Sequence, residues 1–356
     1  MNDNSLDEFL KYPLPTQKEI TVSWNGMLPV VSIICTTYNH EQYIEDAIRG
    51  FLIQKTTFPF EIIIHDDAST DETRNIVDKY AKQYPGLIKA IIQEENQYSK
   101  GTRVMLLAAS YGTGQFLALC EGDDFWISPE KLQTQVESLD KFSDCEICFH
   151  SAIKTTQGKP DKQLFCKRAN DMALFDVPPI IRCGGSFMPT ASMLIKKTFF
   201  DRVLQENYSF YKKHLTGYYY QIFCSLSGGA LYIDRPMSVY RSFSSGSWTE
   251  KMTDNQEFYK RWLSNYISSL REANAITEYK YSEDFLASIK RCHLSVLNNL
   301  SLDLKFRQDY LLNNREEIGI YGIALWKAIF QYPVMHKVVK KIRWFCYVYI
   351  PAKIKL

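Results

Sequence analysis

The chain has 356 residues, 46% hydrophobic and 14% aromatic, enough to bury one large core or two of ordinary size, which excludes general disorder. A formal net charge of +2 leaves no chain-wide electrostatic footprint for nucleic acid, so any basic surface is local. The polar start, Met1 to Ser5, lacks the basic and apolar regions of a secretory signal, and no uncharged apolar run reaches the roughly 18 residues of a membrane span. The expectation is a cytoplasmic protein, at most peripheral to a membrane.

Residues 1–28 mix Pro13, Pro15 and Gly26 with charges and scattered aromatics, and read as a lead-in arm and not as a core element. Val30 to Cys35 is a β-branched strand, and Glu41 to Gln54 then sets Tyr43, Ile44, Ala47, Ile48, Phe51 and Leu52 at helical spacing. Phe60 to His65 is a second strand, followed by Asp66 to Thr73, rich in capping residues, and a helix through Ile76, Val77 and Tyr80. Leu87 to Ile92 is a third strand, a short helix covers Thr102 to Ser110, and Phe116 to Cys120 is a fourth strand bounded by glycine turns. Strands alternating with helices predict an α/β fold with a mostly parallel, twisted, helix-covered sheet. The polar clusters Thr36 to His40, Asp66 to Asp71, Asn96 to Gly101 and Glu121 to Asp124 all follow strands, and so converge on the sheet edge where such folds bind ligands. Beyond Cys148 the alternation weakens, with further strands at Met193 to Ile195 and Leu231 to Ile233, a helix near Tyr219 to Ser227, and helical spacing from Glu257 onward.

Glu121-Gly122-Asp123-Asp124 places three carboxylates within four positions directly after a buried strand. Oxygen-only ligands around a glycine suit Mg2+ or Mn2+, which usually arrives with a phosphate-bearing substrate. The alternative is a solvated acidic turn before the helix that starts near Pro129. Nine cysteines, several inside apolar runs, read as reduced structural thiols. Cys145 and Cys148 have the spacing of half a zinc site, but no second ligand pair follows.

Val31 to His40, His65 to Asp71 and Glu121 to Trp126, in this order and each after a strand, resemble the family 2, GT-A type glycosyltransferases of bacterial cell-surface polysaccharide synthesis. The resemblance is strong over Val30 to Cys148 and weaker to Trp248. It implies a nucleotide-diphospho-sugar transferase fold over 29–250, with a nucleotide-sugar-binding part at 29–126 and an acceptor-side part at 127–250, followed by a helical region at 251–356. By resemblance, Thr36 and Tyr38 line the nucleotide pocket, Asp66 and Asp67 offer a carboxylate to the base edge, and Asn96 and Lys100 lie in a polar loop near the donor. Asp123 matches the metal-ligating aspartate, Glu121 replaces its usual partner aspartate, and Asp124, Arg241 and Trp248 are assigned to the substrate. The implied reaction is inverting transfer from a nucleotide sugar, first of all a UDP-sugar, to a saccharide or polyprenyl-linked saccharide, with Mn2+ or Mg2+ as cofactor.

One departure is clear. Relatives carry a general-base aspartate at the start of a helix after the acceptor segment, and here Leu215 to Gln221 holds no carboxylate, with Gly217 or Tyr218 at the matching position. Another group such as His214 or Glu206 is then the candidate for the base, or the acceptor differs. A non-catalytic nucleotide-sugar-binding or scaffold protein is therefore the competing reading. A dinucleotide oxidoreductase is disfavoured because no glycine lies between Cys35 and Arg49. Finally, His336 to Lys355 has six Lys or Arg, no acid and interleaved aromatics, which suits a helix lying on the anionic inner face of the cytoplasmic membrane or a packed helix with a basic face. No nucleic-acid module accompanies it.

Overall fold

The computed structural model describes residues 9, 11–24, 28–156, 159–160, 164–206, 208–214, 217–244, 250, 252 and 255–331. Two compact units divide at Tyr279 and Lys280.

In the first unit, β1 (Val31–Thr37), β2 (Phe60–Asp66), β3 (Ile88–Ile92) and β4 (Phe116–Glu121) form a parallel block in the order β3-β2-β1-β4. β1, β2 and β4 are buried nearly throughout, as apolar runs covered by helices must be, while the edge strand β3 buries only Ile88. The sheet continues through β5 (Phe125–Trp126), β6 (Ile147–Thr156), β7 (Lys159–Pro160), β8 (Ala173–Phe175), β9 (Leu194–Lys196) and β10 (Ala230–Ser242), giving the order β3-β2-β1-β4-β9-β6-β10-β5. Beyond β4 it is mixed: β9 runs antiparallel to both β4 and β6, while β6 and β10 pair in parallel. The weakened alternation after Cys148 reflects this change, because a three-residue strand entered from a 3-10 turn needs no helical crossover.

Helix Ile44–Leu52 buries Ile44, Ala47, Ile48, Phe51 and Leu52, the spacing that its sequence predicts. Phe51 meets Trp126 edge-on at 4.8 Å. At Gly50 a Cβ would lie 2.6 Å from the Trp126 carbonyl oxygen, so this close approach of helix to β5 admits no side chain. Helices Thr73–Gln83 and Lys131–Lys141 follow β2 and β5 in the same manner.

The arm departs from expectation. Phe9 is 1% exposed and packs 5.0 Å from Phe125 in a small core with Ile53, Ile127, Ile153 and Val239. The Arg49 guanidinium donates to Tyr12 O, Tyr84 Oη to Pro15 O at 2.9 Å, and Gly86 N to Gln17 Oε1 at 2.8 Å. Its aromatics are too widely spaced to show a period, so only their contacts reveal them as core.

Helix Gln256–Ile276 completes the first unit. The second contains helices Ser282–Asn298, Leu304–Asn313, Arg315–Ile318 and Ile320–Gln331. Trp326 and Ile329 of the last helix pack with Leu297 and Leu311, so the apolar stretch 318–330 contributes a core helix. Among the described residues no helix is long and apolar enough to cross a membrane. The basic stretch 336–355 lies outside the described residues.

Candidate functional site

The site is built on the end of β1. Thr37 pairs with Asp66 on one side, and Thr36 with Glu121 on the other. The main chain continues both pairings: Asp67 N donates to Thr37 O and Gly122 N to Thr36 O, each at 2.9 Å. Asp66–Asp67 and Glu121–Asp124 therefore flank adjacent residues of one strand, about 10 Å or two strand spacings apart.

Side chains then zip the loops after β1 and β2 together. Asn39, at a φ of 55° that asparagine tolerates better than most residues, donates its N–H to Ser69 Oγ at 2.9 Å and accepts at Oδ1 from Thr70 N at 2.8 Å. His40 N donates to Thr73 Oγ1 at 2.8 Å, and Glu41 N to Asp71 Oδ2 at 3.0 Å. Thr36 is half-buried beneath the loop and the Tyr38 side chain is exposed beside it.

Asp66 is fully buried and accepts from the Ser69 hydroxyl and from Ser69 N at 3.1 Å; burial pushes its carboxyl above the usual range, against those hydrogen bonds. Asp67 accepts from Gln97 N at 2.8 Å and Tyr98 N at 3.0 Å, one per oxygen. It thereby organises the polar loop after β3. Asn96 belongs to the same scaffold, giving Nδ2 to Asp67 O at 3.1 Å and accepting from Ser99 N at 2.7 Å. Lys100 points outward and pairs with Glu95.

On the other side, Glu121 and Asp123 are half-buried, and Asp124 is buried. Burial and the neighbouring Asp123 charge push the Glu121 carboxyl up to about 7, against a hydrogen bond from Thr190. Asp123 accepts from Ser244 Oγ at 2.7 Å. Asp124 Oδ1 accepts from Arg241 N at 2.8 Å, while Oδ2 is buried without a hydrogen-bond partner among the described residues. Burial, then the charges of Asp123 and Glu121, raise the Asp124 carboxyl well above its ordinary value, and its bond to Arg241 N braces β10. The Arg241 guanidinium donates to Asp123 O at 2.9 Å, pairs with Asp46, and stacks 4.3 Å over Phe125 and 5.2 Å over Tyr43. These contacts lock the acidic loop to helix Ile44–Leu52. At Gly122 a Cβ would lie 2.8 Å from Thr37 Oγ1 and 2.9 Å from His40 Nδ1, so only glycine lets the acids sit this close to β1. Those two polar atoms are themselves buried and unpartnered among the described residues.

A divalent ion fits this chemistry. The Asp123 charge raises the cost of ionising Glu121, and a nearby cation would offset it. No three His, Cys, Asp or Glu side chains form a metal cage among the described residues. Two carboxylates are what Mg2+ or Mn2+ takes when substrate phosphates complete its shell.

His214 is buried at the end of helix Tyr208–His214, with Nε2 3.0 Å from Glu272 Oε1 and its ring 5.4 Å from Phe210. Gly217 opens helix Gly217–Phe223, and the nearest atom to a Cβ there would be Thr190 Oγ1 at 3.9 Å. Thr190 in turn bonds Glu121, which ties the position lacking a carboxylate to the acidic loop 121–124. Trp248 lies outside the described residues. Sequence reasoning missed Asp46, Thr190, Ser244, Thr37 and His40. Thr37, His40, Thr190 and Ser244 stood in segments that resemble the family without a role assigned to them, and Asp46 joins the site only through its contact with Arg241.

Residues 32–204 match the family described as glycosyl transferase family 2. An uncharacterized protein of Mycobacterium tuberculosis (strain ATCC 25618 / H37Rv) is 31% identical over 241 residues, 65% of this chain and 64% of that protein. The chain thus spans less than two thirds of that relative's length. The putative teichuronic acid biosynthesis glycosyltransferase TuaG of Bacillus subtilis is 37% identical over 109 residues, 31% of this chain and 41% of its own. The crystal structure of S. aureus TarS 1–349 in complex with UDP-GlcNAc aligns with a TM-score of 0.50 at 18% identity, covering 85% of this chain and 91% of that one, which is a likeness of fold. Residues 32–204 thus match glycosyl transferase family 2, and they are carried on a GT-A fold.

Proposed function

We propose that the protein is an inverting glycosyltransferase that moves one sugar from a nucleoside diphosphate donor, a UDP-sugar first of all, to a growing or polyprenyl-linked saccharide in surface polysaccharide assembly. The observation that carries this reading is the shared strand end: Asp67 and Gly122 hydrogen-bond to consecutive residues of β1, so one nucleoside diphosphate reaches both acid groups. Thr36 and the exposed Tyr38 offer a hydroxyl and an aromatic face to the nucleoside, and Asp66 or Asp67 accepts from the base edge. A Mn2+ or Mg2+ ion, if bound, would be held by Glu121 and Asp123 and would neutralise charge on the leaving diphosphate. Arg241 keeps the acidic loop seated, and Asn96 shapes the donor side through Asp67. The UDP-GlcNAc bound by TarS and the teichuronic acid role in the name of TuaG support the donor and the pathway class.

The domain reading places the transferase at 29–250, an arm at 1–28 and a helical region at 251–356. The basic, aromatic stretch 336–355 supports peripheral attachment to an anionic membrane from the cytoplasmic side. Vesicle flotation with and without phosphatidylserine tests this, and equal recovery in both would remove it.

The main test is transfer or donor hydrolysis over a panel of nucleotide sugars with and without Mn2+. Asp123→Ala should lower turnover by about a hundredfold or more, as loss of metal-held charge stabilisation does. Unchanged turnover would end the assigned metal role. Gly217 favours a second reading, a nucleotide-sugar-binding protein without catalysis. It requires UDP binding by calorimetry and no turnover with any acceptor.

A further inference from the structure

We propose that Cys183 is a thiol oxidation site with Cys166 as its resolving partner, the two forming a disulfide under hydroperoxide. Cys183 ends helix Val177–Cys183, and Cys166 follows the β-bridge between Ala152 and Phe165. These segments meet at Ser186 and Arg168. Cys166 Sγ donates to Ser186 O at 3.0 Å, and Cys183 Sγ lies 3.8 Å from Ser186 Oγ. One guanidinium serves both sulfurs: Arg168 Nη2 donates to Cys183 Sγ at 3.6 Å, and the same side chain hydrogen-bonds Cys166.

Arg168 is aimed at this place by its other contacts. Nε donates to Phe187 O at 3.0 Å, Nη2 to Ser186 O at 2.5 Å, and the guanidinium stacks 4.3 Å over the Phe187 ring. No carboxylate pairs with it among the described residues, so its charge is spent on sulfurs and carbonyls. A cation against a partly exposed sulfur is the setting of a reactive thiol, and the other described cysteines are all buried. Cys183 is the half-exposed member that meets the oxidant. Cys166 is 8% exposed, and burial holds its thiol up at about 12 against the pull of Arg168, so it remains protonated until called on.

The step balances with hydrogen peroxide as oxidant. The Cys183 sulfur gives two electrons to the O–O bond, which breaks to leave a sulfenic acid on Cys183 and one water. The Cys166 sulfur then attacks Cys183 sulfur, the S–S bond forms, and hydroxide leaves as a second water with the Cys166 proton. The bond would tie the 166 segment to the loop 184–188, which Gln221 already clamps through Met188 N at 3.2 Å and Met188 O at 3.1 Å. That loop packs on the helix opened by Gly217, so oxidation would fix the acceptor side of the cleft. The pairing itself does not rest on the transferase reading.

The test treats the reduced full-length protein with hydrogen peroxide and maps its peptides by mass spectrometry. A species lighter by two hydrogen atoms, with the Cys166 and Cys183 peptides joined, is expected. In Cys166→Ser, dimedone should trap a sulfenic acid on Cys183, and Cys183→Ser should give neither product. Arg168→Met should slow iodoacetamide labelling of Cys183 by about tenfold, while Arg168→Lys retains most of the rate. Cys183 left reduced, oxidised without joining Cys166, or joined to another cysteine overturns the proposal. Equal labelling rates in Arg168→Met and the wild type overturn the part given to the guanidinium.

Discussion

Asp123 and Asp124 are neighbours with the same side chain and opposite expected behaviour. Asp123 shares its carboxylate with Ser244 at the open side of the loop, whereas Asp124 is buried against β10 with its carboxyl raised by that burial. Asp123→Asn is expected to abolish Mn2+-dependent UDP binding, and Asp124→Asn to retain it, measured by calorimetry. Because the folded pKa of Asp124 is raised, the native protein must take up a proton that the unfolded chain lacks above about pH 4, so this group costs more stability as pH rises. Asp124→Asn removes that cost. Its melting temperature relative to wild type, measured without metal, should therefore climb as pH rises above about 4, and a flat difference would contradict a raised Asp124 carboxyl. Glu121 predicts a separate pH effect on the metal. With its pKa near 7, protonation competes with the cation, so apparent Mn2+ affinity in the presence of UDP should fall about tenfold from pH 8 to pH 6, and Glu121→Gln should lose that step. Gly217→Asp fits the open space beside Thr190, and renewed or raised turnover in that variant would identify the missing carboxylate as what limits catalysis.

At the scale of elements, the acidic loop depends on pieces far from it in sequence. Phe9 supports Phe125, and Phe125 lies under the Arg241 guanidinium that holds Asp123. Phe9→Ala should cost about 3 kcal/mol or more in urea unfolding, as other large-to-small core changes do, with Phe9→Leu recovering much of it. Helix Lys131–Lys141 shows a different economy. Lys131 is fully buried, donates to Gln135 Oε1 at 2.6 Å and lies 3.9 Å over the Trp126 ring, and burial lowers its pKa to about 7. Between pH 7 and about 10 the unfolded chain binds the proton that the folded one releases, so the burden of this lysine is full at pH 7 and shrinks as pH rises toward 10. Lys131→Met is expected to stabilise by on the order of 2 kcal/mol at pH 7, with the gain fading by pH 10. A gain that grows with pH would reverse the assignment.

Across the whole molecule, periodicity and punctuation made the parallel block readable before any coordinates. Val31 to Cys35, Ile62 to Ile64 and Leu117 to Cys120 are local runs whose burial is dictated by their own composition, and the helices between them carry their faces at regular spacing. The second half was less legible. β10 is a 13-residue strand of which only Leu231 to Ile233 stood out, because its partners β5, β6 and β8 lie far away in the chain. The division after Tyr279 likewise depends on where helix Gln256–Ile276 packs and not on its composition. What the sequence determined alone was the alternating strand and helix order and the placing of its acids after strands, since both follow from short-range periodicity and turn chemistry. Only the tertiary structure decided which acid is presented and which is buried, that Arg241 is tied to Asp46 and Asp123, and that Phe9 is core. Those outcomes are set by burial and by contacts between residues far apart in the chain, and no local pattern encodes them.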